Sequence, residues 1–337
     1  MQRATELLRP VGAPQWAMAV SLAAALGGLV VAATAAGRPS LAGQLGLGFV
    51  LVAVPSLPTA LRPAMTIIAV RATVVCIAAA AVIAVGDRPV VLAGVTVAAA
   101  MVGACFERIG ATAGLAVVLI AADPDPLSAW EFGAYIAGAL VVAVAWLLWW
   151  VTGRTVAATD PDRPDARPRV TRRPHALRVG LAVGLAFGVL LTLPAGLPGV
   201  HWLVTSVLLT IQPVSSDTGV RMTQRLSGNT VGAGIAAAIL GSHPPAAVLI
   251  AVTAVLFMLA MALRPVNYTW WAITGPPVLM VVAEYPMVFP WYEGGLRLAM
   301  NLAGAVIVAA VVFGIPALAR IGSPKSSRLD SVYKTLG

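Results

Sequence analysis

The chain has 337 residues, 59% of them hydrophobic and only 10% charged, whereas soluble domains carry about 25% charged residues. That balance, with a mean hydropathy of +0.91, excludes a soluble globular domain and points to membrane-spanning helices. The formal charge of +9 comes without a basic patch interleaved with aromatics, so it reads as loops held at a cytoplasmic face rather than as a nucleic-acid interface.

The chain opens with Arg3 and Arg9 ahead of a small-residue apolar run, which imitates a signal peptide. The run is longer than a signal h-region and similar segments keep following, so it is expected to stay as a first helix. Apolar segments fall near 14–36, 41–58, 64–85, 89–105, 110–122 and 133–153, and again near 176–197, 200–214, 222–241, 246–263, 269–284 and 296–318. The expected fold is therefore an all-α polytopic membrane protein with about twelve transmembrane helices. The segment near 110–122 is the least typical, because a span needs roughly 17–25 residues.

Charge tests this arrangement. With Met1 inside and the helices alternating, only Arg38, Arg88 and Arg297 fall outside. The other nineteen of the 22 Lys and Arg lie on the inner side, as the positive-inside rule requires. Both termini are expected in the cytoplasm, in an inner (plasma) membrane. Trp146, Trp149 and Trp150 would form an inner aromatic belt and Trp202 and Trp291 an outer one, with Tyr268, Trp270 and Trp271 also interfacial.

The predicted domains are a six-helix repeat over 1–153, an Arg- and Pro-rich tether over 154–175, a second six-helix repeat over 176–318 and a polar tail over 319–337. The tether's prolines and mixed charge forbid a packed core. The segment from Trp16 resembles that from Ala176, and the Gly86–Pro89 turn mirrors Gly241–Pro244, which sets Arg71 near the counterpart of Arg225. An even number of helices per repeat makes the two repeats parallel, about an axis along the membrane normal.

No enzyme signature is present: there is no G-x-S-x-G, H-E-x-x-H or P-loop. Cys76 and Cys105 form no metal or disulfide pattern, and His175, His201 and His243 are scattered; no metal and no cofactor is implied. The polar content concentrates between His201 and Leu240. Gln212-Pro213 interrupts a helix, because proline removes a donor and clashes one turn back. Ser215, Ser216 and Asp217 suit the start of the next helix, whose N-terminal end favours anions. Arg221 and Arg225 follow Asp217 at spacings of four, on one face, and Gly228 and Gly232 continue that stripe where a neighbouring backbone can approach.

A broken helix end with arginines beside it suits a carboxylate, which a guanidinium can hold in a two-point contact. The same residues also admit structural readings: Arg221 as a snorkelling topology charge, Asp217 as a cap paired with it, and Arg225 as a buried ion-pair member. Asp217 and Glu107 are the candidates for proton coupling.

Trp202, Thr205, Gln212, Pro213, Thr218, Arg221, Arg225, Gly228, Thr230 and Gly232 stand in a pattern that resembles the core motif of the fusaric acid resistance-like (FUSC), or aromatic acid exporter, membrane domain. The first repeat is a degenerate version: Pro55, Arg71 and Gly86 persist, but the Gln and the Gly-Asn-Thr do not. The resemblance implies efflux of small, often aromatic, carboxylic acids. Many members carry a sizeable cytosolic domain, for which only the tether and tail are available here. The expected binding residues are Arg225, Arg221 and Arg71 for the carboxylate, with Gln212, Asn229 and Thr230 as hydrogen-bonding neighbours. Expected partners are a small organic anion, the lipid bilayer and, as further options, a second copy or an envelope protein; nucleic acid is not one. A passive anion channel and a non-transporting envelope scaffold are the alternative functions.

Overall fold

A computed structural model describes residues 10–54, 57–58, 60–122, 129–152, 172–194, 197, 199–284 and 293–322. Arg3, Arg9, Pro55, Trp291, most of the tether and the tail lie outside them. Every element is helical: α1 (Trp16–Ala35), α2 (Pro39–Val52), α3 (Leu61–Val85), α4 (Pro89–Cys105), α5 (Thr112–Ala121), α6 (Ala129–Val151), α7 (Arg172–Leu190), α8 (His201–Thr210), α9 (Ser215–Gly241), α10 (Ala246–Leu263), α11 (Tyr268–Glu284) and α12 (Glu293–Ala309), which continues through a π-helical turn (Ala310–Gly314) into Ile315–Gly322. Each apolar segment of the sequence becomes one of these helices.

Five of them are long and apolar enough to cross a membrane, in the ranges Trp16–Ala35, Leu61–Val85, Phe132–Val151, Ala246–Leu263 and Gly294–Leu318. The expected twelve full spans are not all present as such, for two physical reasons. The ten-residue helices α5 and α8 are only about 15 Å long at 1.5 Å per residue, half of a hydrocarbon core of about 30 Å. The long helix α9 carries Asp217, Arg221 and Arg225 in its first half. Multi-pass character rests on the five.

Outside and inside are both apolar, as a bilayer demands. Leu177, Leu181, Leu185 and Val189 form an exposed stripe at four-residue spacing on α7, while Val179, Ala182, Val183 and Ala186 of the same helix are buried. The two short helices sit in the centre instead. Leu203, Val204 and Val207 of α8 and Ala116 and Ile120 of α5 are all buried, and Leu208 of α8 packs against Gly114 of α5. Trp146 and Trp149 are buried as well, so they belong to the core rather than to an interfacial belt.

The helix pairings recur at an offset of six positions. α1 packs on α2 and α7 on α8; α2 on α6 and α8 on α12; α3 on α5 and α9 on α11; α4 on α5 and α10 on α11; α3 on α6 and α9 on α12. Between the two sets, α4 lies on α7 and α10 on α1.

The closest approach near the polar stretch is between α9 and α11. A Cβ on Gly228 would stand 2.5 Å from the Ala272 Cβ, and one on Gly232 would stand 2.5 Å from the Ile273 carbonyl oxygen. Pro276 and Pro277 lie inside α11, and their missing N–H groups take away the helical donors that would otherwise serve the Ala272 and Ile273 carbonyls. Glycine on α9 lets the two backbones meet at that weak point. Gly228→Val is expected to destabilise the fold by about 1–3 kcal/mol through overpacking. Gly94→Ala, where an added methyl group meets nothing within 4 Å, is expected to leave the melting temperature of the detergent-purified protein unchanged.

Candidate functional site

The break between α8 and α9 is built first by local bonds. Ile211 leaves the helix with an extended backbone, φ −68° and ψ 126°. The Gln212 N–H donates to Thr218 Oγ1 at 3.0 Å, and the Gln212 side-chain amide turns back onto the Ile211 carbonyl at 3.1 Å. From α7, Arg178 Nη2 donates to the Pro213 carbonyl at 2.9 Å. The polar groups of the break are thus used by the chain itself. Arg225 stands ten residues further along α9, about 15 Å away at helical rise, so the helix end and the buried arginine are two different places.

Arg225 is only 6% exposed. Its Nη1 donates to the Tyr268 hydroxyl at 3.1 Å and its Nη2 to Asn301 Oδ1 at 3.0 Å, while its Nε has no partner. Asn301 Oδ1 also accepts from Asn229 Nδ2 at 2.8 Å, and Asn301 Nδ2 donates to the Arg297 carbonyl, one turn back, at 2.8 Å. The Asn229 Oδ1 is buried without a partner. Among the described residues no carboxylate is within ion-pair distance of Arg225. Its positive charge is met by neutral oxygens alone.

Arg297 completes this constellation. Sequence topology sets it in an outer loop; in the fold it is 4% exposed. Its guanidinium lies 3.1 Å from the centre of the Trp202 ring, and its Nη1 donates to the Pro276 carbonyl at 2.8 Å. Trp202 is likewise buried rather than part of an outer belt. Arg225, Asn229, Asn301, Arg297, Trp202 and Trp271 line one narrow cavity between α8, α9, α11 and α12. Two cations, two amides and two indoles around one narrow space suit an anion that carries an apolar body.

The other sequence candidates are distributed around this cavity. Arg221 is half-buried, with its guanidinium carbon 3.5 Å from the centre of the Tyr268 ring and its Nη1 buried without a partner. Arg71 lies on α3, with a buried, unpartnered Nε and with Arg264 near enough to repel it. Arg71 and Arg225 are each the eleventh residue of their helices. Gln212 stays in the break. Thr230 is exposed, its hydroxyl donating to the Leu226 carbonyl of its own helix at 2.8 Å. Asp217 and Glu107 are both exposed, Asp217 accepting from Ser216 Oγ at 3.4 Å.

A family model described as fusaric acid resistance protein-like matches residues 179–311. Those residues are similar to the fusaric acid resistance protein-like domain. No curated protein matches the chain, and no solved structure does. The matched stretch holds every residue that lines the cavity, whereas Arg71 lies before it.

Three residues of the cavity network escape a reading by loops and spans: Arg297, Asn301 and Tyr268. The available signal was the spacing of Arg297 and Asn301, four apart at the start of an apolar helix and therefore on one face. Asn301→Ala removes the shared acceptor of Arg225 and Asn229 and is expected to cost about 1–3 kcal/mol. Thermal unfolding of the detergent-purified variant, beside a Thr230→Ala control expected to match wild type, checks this.

Proposed function

We propose that this chain is an inner-membrane transporter that exports small organic carboxylates, aromatic ones among them, with both termini in the cytoplasm. The single observation that carries the reading is Arg225: a buried guanidinium with only neutral partners, facing a cavity that has two indoles in its wall. A buried cation without a counter-charge costs several kcal/mol, and a substrate carboxylate would offset that cost at the moment it binds. The likeness of residues 179–311 to fusaric acid resistance proteins agrees with efflux of such acids.

The proposed architecture is two parallel repeats of six helices, 1–153 and 176–318, joined by a cytoplasmic tether over 154–175 and followed by a tail over 319–337. The recurring helix pairings support it, as does the shared position of Arg71 and Arg225. The direction of neighbouring helices supports alternation: Arg225 and Asn229 meet Asn301, while Ala233 meets Gly294, so α9 and α12 run antiparallel. In this reading the short helices α5 and α8 are half-spans that meet their neighbours at the bilayer midplane, where transporters build their sites from discontinuous helices.

The chemistry asked of the chain is binding and release. Arg225 would take one carboxylate oxygen with Nη1 and the other with Nη2, Asn229 and Asn301 would reorient their amides around it, and Trp202 and Trp271 would cover the apolar body. Two substitutions test this. Arg225→Gln is expected to abolish uptake of benzoate into inside-out vesicles while the protein still inserts. Asn301→Asp puts a carboxylate beside Arg225; that variant is expected to keep or raise its melting temperature and to lose benzoate binding, because the site then carries its own anion. Normal efflux by both variants would remove Arg225 from the mechanism. A benzoate flux that follows only the anion gradient would identify a passive channel.

A further inference from the structure

Tyr268, the first residue of α11, is held by two arginines at once. Its hydroxyl oxygen accepts from Arg225 Nη1 at 3.1 Å, and its ring face carries the Arg221 guanidinium at 3.5 Å. Arg221 and Arg225 are one turn apart on α9, and Arg221 is the nearer to the helix start. In the proposed orientation that start is cytoplasmic, so the order from the cytoplasm inward is Arg221, Tyr268, Arg225 and then the cavity. Tyr268 is not among the residues that line the cavity; it stands at its cytoplasmic end.

Several observations agree that this place is made for an anion that is not part of the chain. Arg221 keeps a buried Nη1 without a partner. Its nearest acid, Asp217, is exposed and one turn further out. Arg264, from the end of α10, lies over the Trp271 ring at 4.6 Å, and it is near enough to Arg221 for the two charges to repel. Arg71 of the first six-helix set is in turn near Arg264. Cations from α9 and from the end of α10 therefore meet around one phenol, with Arg71 of α3 beside Arg264. The cavity beyond is too narrow in this conformation to hold an aromatic acid, as a closed gate requires.

Building on the proposed function, we infer that Arg221 is a loading station for the substrate carboxylate and that Tyr268 is the gate between it and Arg225, its phenol filling the substrate's place on both guanidiniums until an incoming aromatic acid displaces it. A phenol is well chosen for that task. It offers one acceptor oxygen to Arg225 and a π face to Arg221, the same two contacts that an aromatic carboxylate makes, but without its negative charge. An anion that has passed Arg221 therefore replaces it on Arg225 with a gain in that contact, and release of the anion restores the closed state. Arg264 and Arg71 raise the positive potential at the mouth and steer anions to it.

The test uses the full-length protein in detergent, with tryptophan fluorescence as the readout and benzoate, cinnamate and phthalate as probes. Tyr268→Phe keeps the ring over Arg221 and removes the competing oxygen, so equilibrium binding is expected to tighten about tenfold. Arg221→Gln is expected to leave the equilibrium affinity within about twofold and to slow association, measured by stopped flow, about tenfold, with the effect fading at high salt. A melting curve for each variant checks that it is folded. Weaker binding by folded Tyr268→Phe would make Tyr268 a prop for Arg225 and overturn the gate. An unchanged association rate in Arg221→Gln would overturn the loading station. Normal binding by Arg225→Gln, or no binding of any probe by wild type, would overturn the functional reading itself, and the gate with it.

Discussion

One constraint governs the second half of this protein: a guanidinium kept out of water with no carboxylate among the described residues to neutralise it. Moving a cation from water into a low-dielectric interior costs several kcal/mol even after relaxation, and the fold meets that cost with dipoles rather than charge. Asn301 supplies an oxygen that serves both Arg225 and Asn229, and Tyr268 supplies another. Asn301 is itself set by its bond to the Arg297 carbonyl, one turn back. The helices α9, α11 and α12 are thereby tied together, and of the residues that tie them Arg225, Asn229 and Asn301 line the cavity while Tyr268 stands at its end.

That network needs close helices, which explains features that look unrelated to it. Gly228 and Gly232 bring α9 against α11 where Pro276 and Pro277 have weakened the α11 backbone. Arg297 uses the Pro276 carbonyl as an acceptor, so a group next to the proline break becomes a fixed point for the second buried arginine. The short helix α8 supplies Trp202 beneath Arg297 and then stops, because Gln212-Pro213 cannot continue it. Thr218 and Arg178 hold that stop in place. A half-length helix in the centre thus delivers an aromatic surface to the cavity without filling the space in which the polar groups meet.

The first six helices carry an arginine of their own, Arg71. Arg71 occupies the same position in α3 as Arg225 does in α9, yet it does not line the cavity. Its Nε has no partner among the described residues, and Arg264 is near enough to repel it. On α6 the backbone that meets α2 at Gly48 is that of Tyr135, and on α12 the carbonyl that meets Ser206 of α8 is that of Asn301.

Hydropathy and proline were enough to locate the helices. The segment expected at 246–263 is helix Ala246–Leu263, and the one at 89–105 is Pro89–Cys105, because apolar runs in this chain end at Gly and Pro turns that admit no other structure. The stripe of Asp217, Arg221, Arg225, Gly228 and Gly232 was also legible, since four-residue spacing fixes a helix face whatever surrounds it. Loop counting failed for Arg297 and belt statistics failed for Trp202, Trp146 and Trp149, for one reason: a charge or an indole near a helix end turns outward or inward according to its neighbours, which lie far away in the chain. Sequence alone thus determined an all-helical membrane chain with a polar face on one of its helices. Only the tertiary structure decided which oxygens meet Arg225, because Tyr268 and Asn301 reach it from 43 and 76 residues away, and helix periodicity carries no information over that distance.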